Sequence, residues 1–488
     1  MSATVLLVVI AAYFALLLAV AWWTSRRADN DSFFIGNRSS HWGLVAFGMI
    51  GTSLSGVTFI SVPGSVGSGA FSYFQIMLGQ VAGYAVVAFV LLPLYYRLQL
   101  SSIYRYLGAR LGVAAHRTGA GFFILSRTLG ATARLYLVVR ILQDLVLAQF
   151  GMPFWLSALL VLVMILLYTL EGGVKTIVWT DTLQTTGMLA GLVICVVFLL
   201  HALGLDLTGG WQAMRAAGLA EVFVTDPMSA AHWAKQLLAG AAIAVAMTGL
   251  DQEMMQKNIS VRRLADAQKN MMVMAAIMTG VVLLFLFLGG LLSLYAHQQG
   301  LAAQGDRLFP AVVMGHLPAW VQLIFVVALI SALFPSADGA ITALTSSTCI
   351  DLLGLQERRD WDEVRKRRVR KAVHLGYAAV FLLLTLGFRW LDDPSMVNLI
   401  LKLAGYTYGP LLGLFAFGIL SSRTLRPGVL PWIALAAPAL CWIVDTHQAA
   451  LFGDYRMGLE LLLVNAALTF GGLWIGSRPA AYPQPKAA

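Results

Sequence analysis

Long apolar stretches recur along the whole chain and are separated by short polar segments. About 20 apolar residues in a helix cross a bilayer core of about 30 Å, and most of these stretches reach that length. The pattern therefore predicts an all-α polytopic membrane protein with about 13 transmembrane helices, numbered here in chain order. The predicted spans are 4–24, 43–65, 72–97, 119–149, 153–171, 177–203, 232–255, 267–297, 317–350, 371–392, 396–419, 428–444 and 457–476.

The basic residues predict how these helices are oriented. Most of the 33 Lys and Arg residues fall in segments that would face the cytoplasm if the N-terminus were outside and the C-terminus inside. The predicted outer segments hold Arg215, Lys235, Arg307, Arg389 and Arg456. We expect the first helix to be retained, because residues 4–24 lack a basic leader and a small-residue cleavage site.

Composition supports the membrane assignment and narrows the function. Hydrophobic residues make up 59% of the chain and charged residues 11%, whereas soluble domains carry about 25% charged residues. The net charge of +10 lies in short inter-helix segments, which favours lipid contact and not nucleic-acid binding. No His/Glu metal pair lies at membrane depth and no base accompanies the serines, so we predict no enzymatic activity.

Helix two contains many residues that form helices poorly, within GMIGTSLSGVTFISVPGS at 48–65. Such a composition favours a helix that is broken near mid-membrane, where free carbonyls can bind a cation and half-helix ends can face a substrate. The alternative is a regular helix with a small-residue packing face.

Helix nine is predicted to be interrupted at Pro335, which has no N–H to bond the carbonyl of Ser331. Ala332 and Ser336 lie four residues apart on one face. Oxygen ligands at this density suit sodium. The alternative is a proline kink with Ser and Thr hydroxyls bonded back to the helix.

Several charged residues fall inside predicted spans, where they are costly and mark function by default. Arg134 on helix four has no local partner, whereas Arg140 has Asp144 four residues later. Lys402 lies in an apolar part of helix eleven. Asp251, near the inner end of helix seven, could be structural or functional.

Six segments together resemble one family, the sodium:solute symporters, which include bacterial proline, sialic acid and galactose carriers. They are SFFIGNRS (32–39), GTSLSGVTFISVPGSV (51–66), EGGVKTIVWTDTLQ (171–184), TGLDQEMMQKNIS (248–260), SALFPSADGAITALTSSTCIDLL (331–353) and GYTYGPLLGLFAFG (405–418). The resemblance implies a multi-pass protein of the inner (plasma) membrane that works by alternating access.

The implied fold is LeuT-type, with two inverted repeats of five helices that start at helices two and seven. Residues 1–42 would form an extra helix and a cytoplasmic loop. Residues 43–420 would form the transport core, with repeats at 43–203 and 232–420. Residues 421–488 would add two peripheral helices and a short cytoplasmic tail.

The resemblance also implies a main sodium site. The matching positions are Gly51, Leu54, Ala332, Pro335 and Ser336. Pro335 departs from the family pattern, because one hydroxyl ligand is missing there. The freed carbonyl of Ser331 is our hypothesis for a substitute.

A second cation is predicted near Asp181, which matches an aspartate that some members use for a second sodium. Where those members have neighbouring serines, this chain has Asp338 and Gly339. Two carboxylates close together repel unless a cation lies between them. Proton coupling is the alternative if Asp338 or Asp181 titrates.

The predicted substrate contacts are Ser53, Ser55, Thr58, Gln75, Gln80, Arg134 and Lys402. The three hydroxyl residues match positions that hold a carboxylate in the sialic acid carriers. Arg134 approximately matches an arginine with the same task, and Lys402 a glutamine that contacts sugar in galactose carriers. The two cationic side chains favour an anionic solute, a carboxylate or sugar acid, imported with sodium. The alternatives are a neutral sugar or polyol symporter and a transport-inactive membrane sensor of the same fold.

Overall fold

The structure is a computed structural model that describes residues 3–25, 41–358, 360–390, 395–426 and 428–479, and the motif at 32–39 lies outside the described residues. Its helices are α1 (Ala3–Ser25), α2 (Trp42–Ser53), α3 (Gly56–Gly69), α4 (Tyr73–Val86), α5 (Leu92–Arg97), α6 (Arg105–Leu111), α7 (Val113–Leu145), α8 (Phe154–Leu203), α9 (Leu207–Ala216), α10 (Trp233–Ala244), α11 (Gln252–Ile259), α12 (Leu264–Gln298), α13 (Leu308–His316), α14 (Ala319–Ser347), α15 (Glu363–Phe388), α16 (Met396–Leu420), α17 (Val429–Thr446), α18 (Gln448–Phe452) and α19 (Leu461–Ile475). Two short strands, β1 (Thr424–Leu425) and β2 (Ser477–Arg478), pair antiparallel.

The described residues contain 9 helices that are long and apolar enough to cross a membrane, or up to 11 if each of two bent pairs is one span. Two shorter apolar helices, Phe154–Thr169 and Leu461–Ile475, accompany them. Each predicted span overlaps one of these segments. The helical, polytopic architecture is therefore confirmed.

The chain between predicted helices five and six differs from the expectation. Backbone hydrogen bonds continue through it, so that α8 is a single helix of 50 residues. Its apolar parts, Phe154–Thr169 and Thr176–Leu203, correspond to the two predicted spans. It therefore contains both predicted spans.

The break predicted in helix two is present. Helix α2 ends at Ser53, α3 begins at Gly56, and the two axes differ by 57°. Leu54 has non-helical dihedrals and Ser55 is extended, as the run of Ser and Gly residues favours.

Helix seven is also broken, which the sequence did not predict. Helix α10 continues through a π-helical turn, Val245–Gly249, and then bends by 64° into α11. Asp251 caps α11, because its carboxylate accepts hydrogen bonds from the N–H groups of Glu253 and Met254 at 2.9 and 3.2 Å. The predicted end of this span at 255 was too early, since every residue of α11 is buried.

Helix nine is not broken at Pro335, and its only interruption there is the hydrogen bond that the proline cannot donate. Helix α14 runs through Pro335 from Ala319 to Ser347. It packs along α8 and α7 and contacts α2 and α3, and these neighbours hold it in place around the proline. This arrangement places the middle of α14 beside the break between α2 and α3.

Candidate functional site

A cavity of about 100 Å³ lies at the break between α2 and α3. It gathers five of the seven predicted substrate contacts, namely Ser53, Ser55, Thr58, Gln80 and Arg134. Other polar groups also line it: Thr52, Tyr73, Tyr84, Arg127 and Thr248. Polar residues from four stretches of the chain thus meet at one pocket.

The first turn of α3 borders this cavity with free backbone donors. Ser55 is the N-cap residue, but its side chain makes no capping hydrogen bond. Val57 and Thr58, in the first turn, line the cavity. The N–H groups and the positive end of the helix dipole favour an anion at this position.

Arg134 is the cationic group of the cavity that has no partner. Among the described residues it makes no ion pair and no hydrogen bond, although it is partly buried. Arg127, two turns earlier, instead forms an ion pair with Glu253 and lies 3.7 Å from Asp251. Arg134 is therefore available to bind a negatively charged ligand.

The structure does not bring Gln75 or Lys402 into this cavity. The Gln75 amide donates to the carbonyls of Ser72 and Ala231, and its oxygen accepts from Val224 N–H. Lys402 forms an ion pair with Asp445 at 2.8 Å, and its side chain is 58% exposed. Both line a separate cavity.

The predicted main sodium site draws on the break between α2 and α3 and on the middle of α14, and these helices contact each other. Among the described residues, no backbone N–H donates to the carbonyls of Gly51 and Leu54, because the helix ends there. The Ala332 carbonyl oxygen lies 3.8 Å from the position that a Cβ on Gly56 would take. Ser336 is buried one turn further along α14. Open carbonyls and a hydroxyl are the hard oxygen donors that sodium requires.

Asp181 of the predicted second cation site already faces a positive charge. The ammonium of Lys257, on α11, lies 2.6 Å from Asp181 Oδ2 and donates to Thr52 Oγ1 at 2.5 Å. It also lies 3.6 Å from Glu253 Oε1. Asp181, Glu253 and Lys257 are at most 2% exposed, so water screens these charges little.

Asp338 is bonded on the other side of the same cluster. It accepts a hydrogen bond from the Tyr168 hydroxyl at 2.9 Å and interacts electrostatically with both Asp181 and Lys257. A Cβ on Gly339 would collide with the carboxylate of Glu253. The glycine therefore makes room for a third carboxylate beside α14.

Sequence reasoning missed Lys257 and the residues around it. Lys257 follows predicted helix seven as one of the basic residues expected to face the cytoplasm, and the structure buries it at 2% exposure. The usable signal was Glu253 and Lys257 four residues apart, a spacing that places an ion pair on one helical face. The contact with Asp181 spans 76 residues and left no local trace.

Comparisons with known proteins agree on one family. A model described as the sodium:solute symporter family matches residues 33–433. The human sodium/iodide cotransporter is 24% identical over 90% of this chain and 68% of its own length. The sodium/sialic acid symporter NanT of Aliivibrio fischeri is 22% identical over 91% of this chain and 88% of its own.

A solved structure of a Na+-coupled sialic acid symporter, in a substrate-bound outward-open state, has the same fold. The TM-score is 0.83, and the match covers 97% of this chain and 99% of that one. At 18% identity, the similarity concerns the fold alone.

Proposed function

Because the chain belongs to the sodium:solute symporter family, we propose that it imports a small organic anion, a carboxylate or sugar acid, by coupling it to sodium entry. The observation that carries the anionic part is Arg134, a cation without a partner in a polar cavity at a broken helix. Its partners are then the solute, sodium and membrane lipid.

The proposed architecture is the LeuT type, in the inner (plasma) membrane. One repeat covers 43–203 and the other 232–420, with the extra helix of 1–42 before them and the peripheral helices of 421–488 after them. Two observations support the repeats: the first helix of each is bent, by 57° and 64°. The N-terminus is then outside, the C-terminus inside, and α2 and α11 form the inner half-helices.

The solute binds between the first turn of α3 and Arg134. Its carboxylate accepts hydrogen bonds from the backbone N–H groups in the first turn of α3, where no side chain caps the helix. The guanidinium of Arg134 supplies the opposite charge. Ser53, Ser55 and Thr58 offer hydroxyls around it, and Gln80 an amide. Gln75 and Lys402 line a separate cavity, so they lie on the approach to the site or belong to the scaffold.

Sodium binds at the main site formed by Gly51, Leu54, Ala332 and Ser336, with Pro335 in place of a further hydroxyl ligand. The ion joins the break of α2 and α3 to α14. A bound sodium therefore stabilises the arrangement in which the cavity is complete, and this shared element couples ion and solute. A second cation is also proposed at Asp181, Asp338 and Gly339, in the cluster that contains Lys257.

A thermal-shift screen on the purified protein tests the substrate class. Carboxylates and sugar acids are compared with neutral sugars, with and without sodium, since a ligand raises stability by RT ln(1 + [L]/Kd). Hits are then tested for sodium-driven uptake in proteoliposomes. We expect carboxylates to stabilise the protein and sodium to strengthen the effect.

Arg134→Ala should abolish both binding and uptake of the anion. Arg140→Ala is the matched control, because Arg140 lies on the same helix but does not line the cavity. Stabilisation by neutral sugars that survives Arg134→Ala would instead establish the sugar or polyol symporter. Ligand binding without uptake would establish the sensor, and uptake that follows pH and ignores sodium would establish proton coupling.

A further inference from the structure

Lys257 lies where the sequence predicts a second cation. Its ammonium contacts the carboxylate of Asp181 at 2.6 Å and the hydroxyl of Thr52 at 2.5 Å. It bridges three elements, since Asp181 is on α8, Thr52 on α2 and Lys257 on α11. All three side chains are at most 2% exposed.

An ammonium group and a sodium ion can occupy the same kind of binding site. Each carries one positive charge, and each is satisfied by a few carboxylate, hydroxyl or carbonyl oxygens. A buried carboxylate stays ionised only when such a partner is present. Asp181 obtains that partner from within the chain.

The surroundings of Lys257 are consistent with a tethered cation. Three carboxylates converge on it: Asp181 by direct contact, Glu253 at 3.6 Å and Asp338 electrostatically. Glu253 fits beside α14 because position 339 is glycine and leaves space for the carboxylate. Glu253 is also paired with Arg127, so the Lys257 ammonium chiefly balances the carboxylate that it contacts directly, Asp181.

We propose that the Lys257 ammonium permanently occupies the second cation site, so that this protein binds and transports one sodium ion per solute. The inference depends on the proposed sodium symport, because it concerns the number of ions and not the coupling itself. The main site at the α2–α3 break remains the place for the sodium that moves.

Removing the ammonium should turn the cluster into an ion site. In Lys257→Met the side-chain length is nearly kept and the charge is lost, so Asp181 loses its internal counter-ion, whereas Glu253 keeps Arg127. A sodium ion at the vacated position would then restore the charge balance.

Equilibrium binding of ²²Na⁺ to the purified chain counts the ions without knowledge of the solute. We expect one saturable sodium per wild-type chain and two per Lys257→Met chain. Lys366→Met is the matched control, since Lys366 also pairs with a carboxylate, Glu363 at 3.0 Å, but lies outside the cluster. That variant should still bind one sodium.

Two saturable sodium ions on the wild-type chain would overturn the inference and leave the symport intact, and this result does not require any variant to fold. A Lys257→Met chain that is monodisperse and folded but still binds one sodium would also overturn it. A wild-type chain that binds no sodium, beside a Lys257→Met chain that binds one, would support the tethered cation and refute the sodium symport.

Discussion

At the scale of single residues, the proposed main sodium site depends on backbone oxygens that an ordinary helix would use in its own hydrogen bonds. The carbonyls of Gly51 and Leu54 accept no backbone hydrogen bond among the described residues, because the helix ends before Ser55 can donate one. On α14, Pro335 frees the carbonyl of Ser331 in the same way and removes one hydroxyl ligand. The site thus exchanges a side-chain ligand for a backbone one.

Pro335→Ser tests this exchange. The serine supplies the missing hydroxyl and an N–H that bonds the Ser331 carbonyl back into the helix. One additional oxygen ligand worth about 1 kcal/mol changes an affinity about five-fold. Because the variant gains this hydroxyl and loses the Ser331 carbonyl as a ligand, we expect the half-saturating sodium concentration, measured by ²²Na⁺ binding, to change by less than that factor.

Pro438→Ser is the control for this substitution, because Pro438 also lies inside a helix, α17, but in the peripheral part of the chain. It should leave the sodium affinity unchanged. A gain of about five-fold in the sodium affinity of Pro335→Ser would show that the Ser331 carbonyl is not a sodium ligand.

At the scale of elements, α11 shows how a short half-helix is held inside the protein. It has eight residues, too few to be stable alone in water. Asp251 caps its first turn and also accepts a hydrogen bond from the Tyr408 hydroxyl at 2.7 Å. The cap therefore fixes the helix that carries Glu253 and Lys257.

Asp251→Ala should destabilise the protein clearly more than Asp251→Asn does. Alanine removes the cap, a loss of about 1 kcal/mol, and leaves the buried Tyr408 hydroxyl without its acceptor, a further loss of about 1–3 kcal/mol. Asparagine keeps an oxygen for the N–H groups of Glu253 and Met254. The measurement is the apparent melting temperature in detergent, and equal losses in the two variants would show that the charge matters and the cap does not.

Sequence reasoning located part of what is local in these elements and missed what is not. Weak helix formers at 53–56 were enough to predict the first break, because a break is a property of the residues that form it. The break at 250–251 also carries a local signal, Thr248, Gly249 and the capping Asp251, which sequence reasoning did not use. The contact of Lys257 with Thr52 spans 205 residues and follows from the packing of α2 against α11, which no local pattern encodes.

At the scale of the whole molecule, the helices that hydropathy predicts are present, and the orientation that the charges predict stays a prediction. The apolar spans coincide with helices because apolar length alone determines whether a segment can cross a bilayer. Two of the basic residues, Lys257 and Arg370, are buried in the protein. Removing Lys257 from the cytoplasmic set leaves the same orientation favoured, because the cluster between Arg358 and Lys371 dominates it.

The orientation can be measured with single cysteines and a membrane-impermeant maleimide on intact cells. The native Cys195, Cys349 and Cys441 are buried and should react little. Thr225, in the segment after α9, and Arg368, in the first turns of α15, are exposed and lie on opposite sides of the predicted membrane. With the N-terminus outside, Thr225→Cys should label in intact cells and Arg368→Cys only after the membrane is opened. The reverse pattern would place the N-terminus inside, and α2 and α11 would then be the outer half-helices.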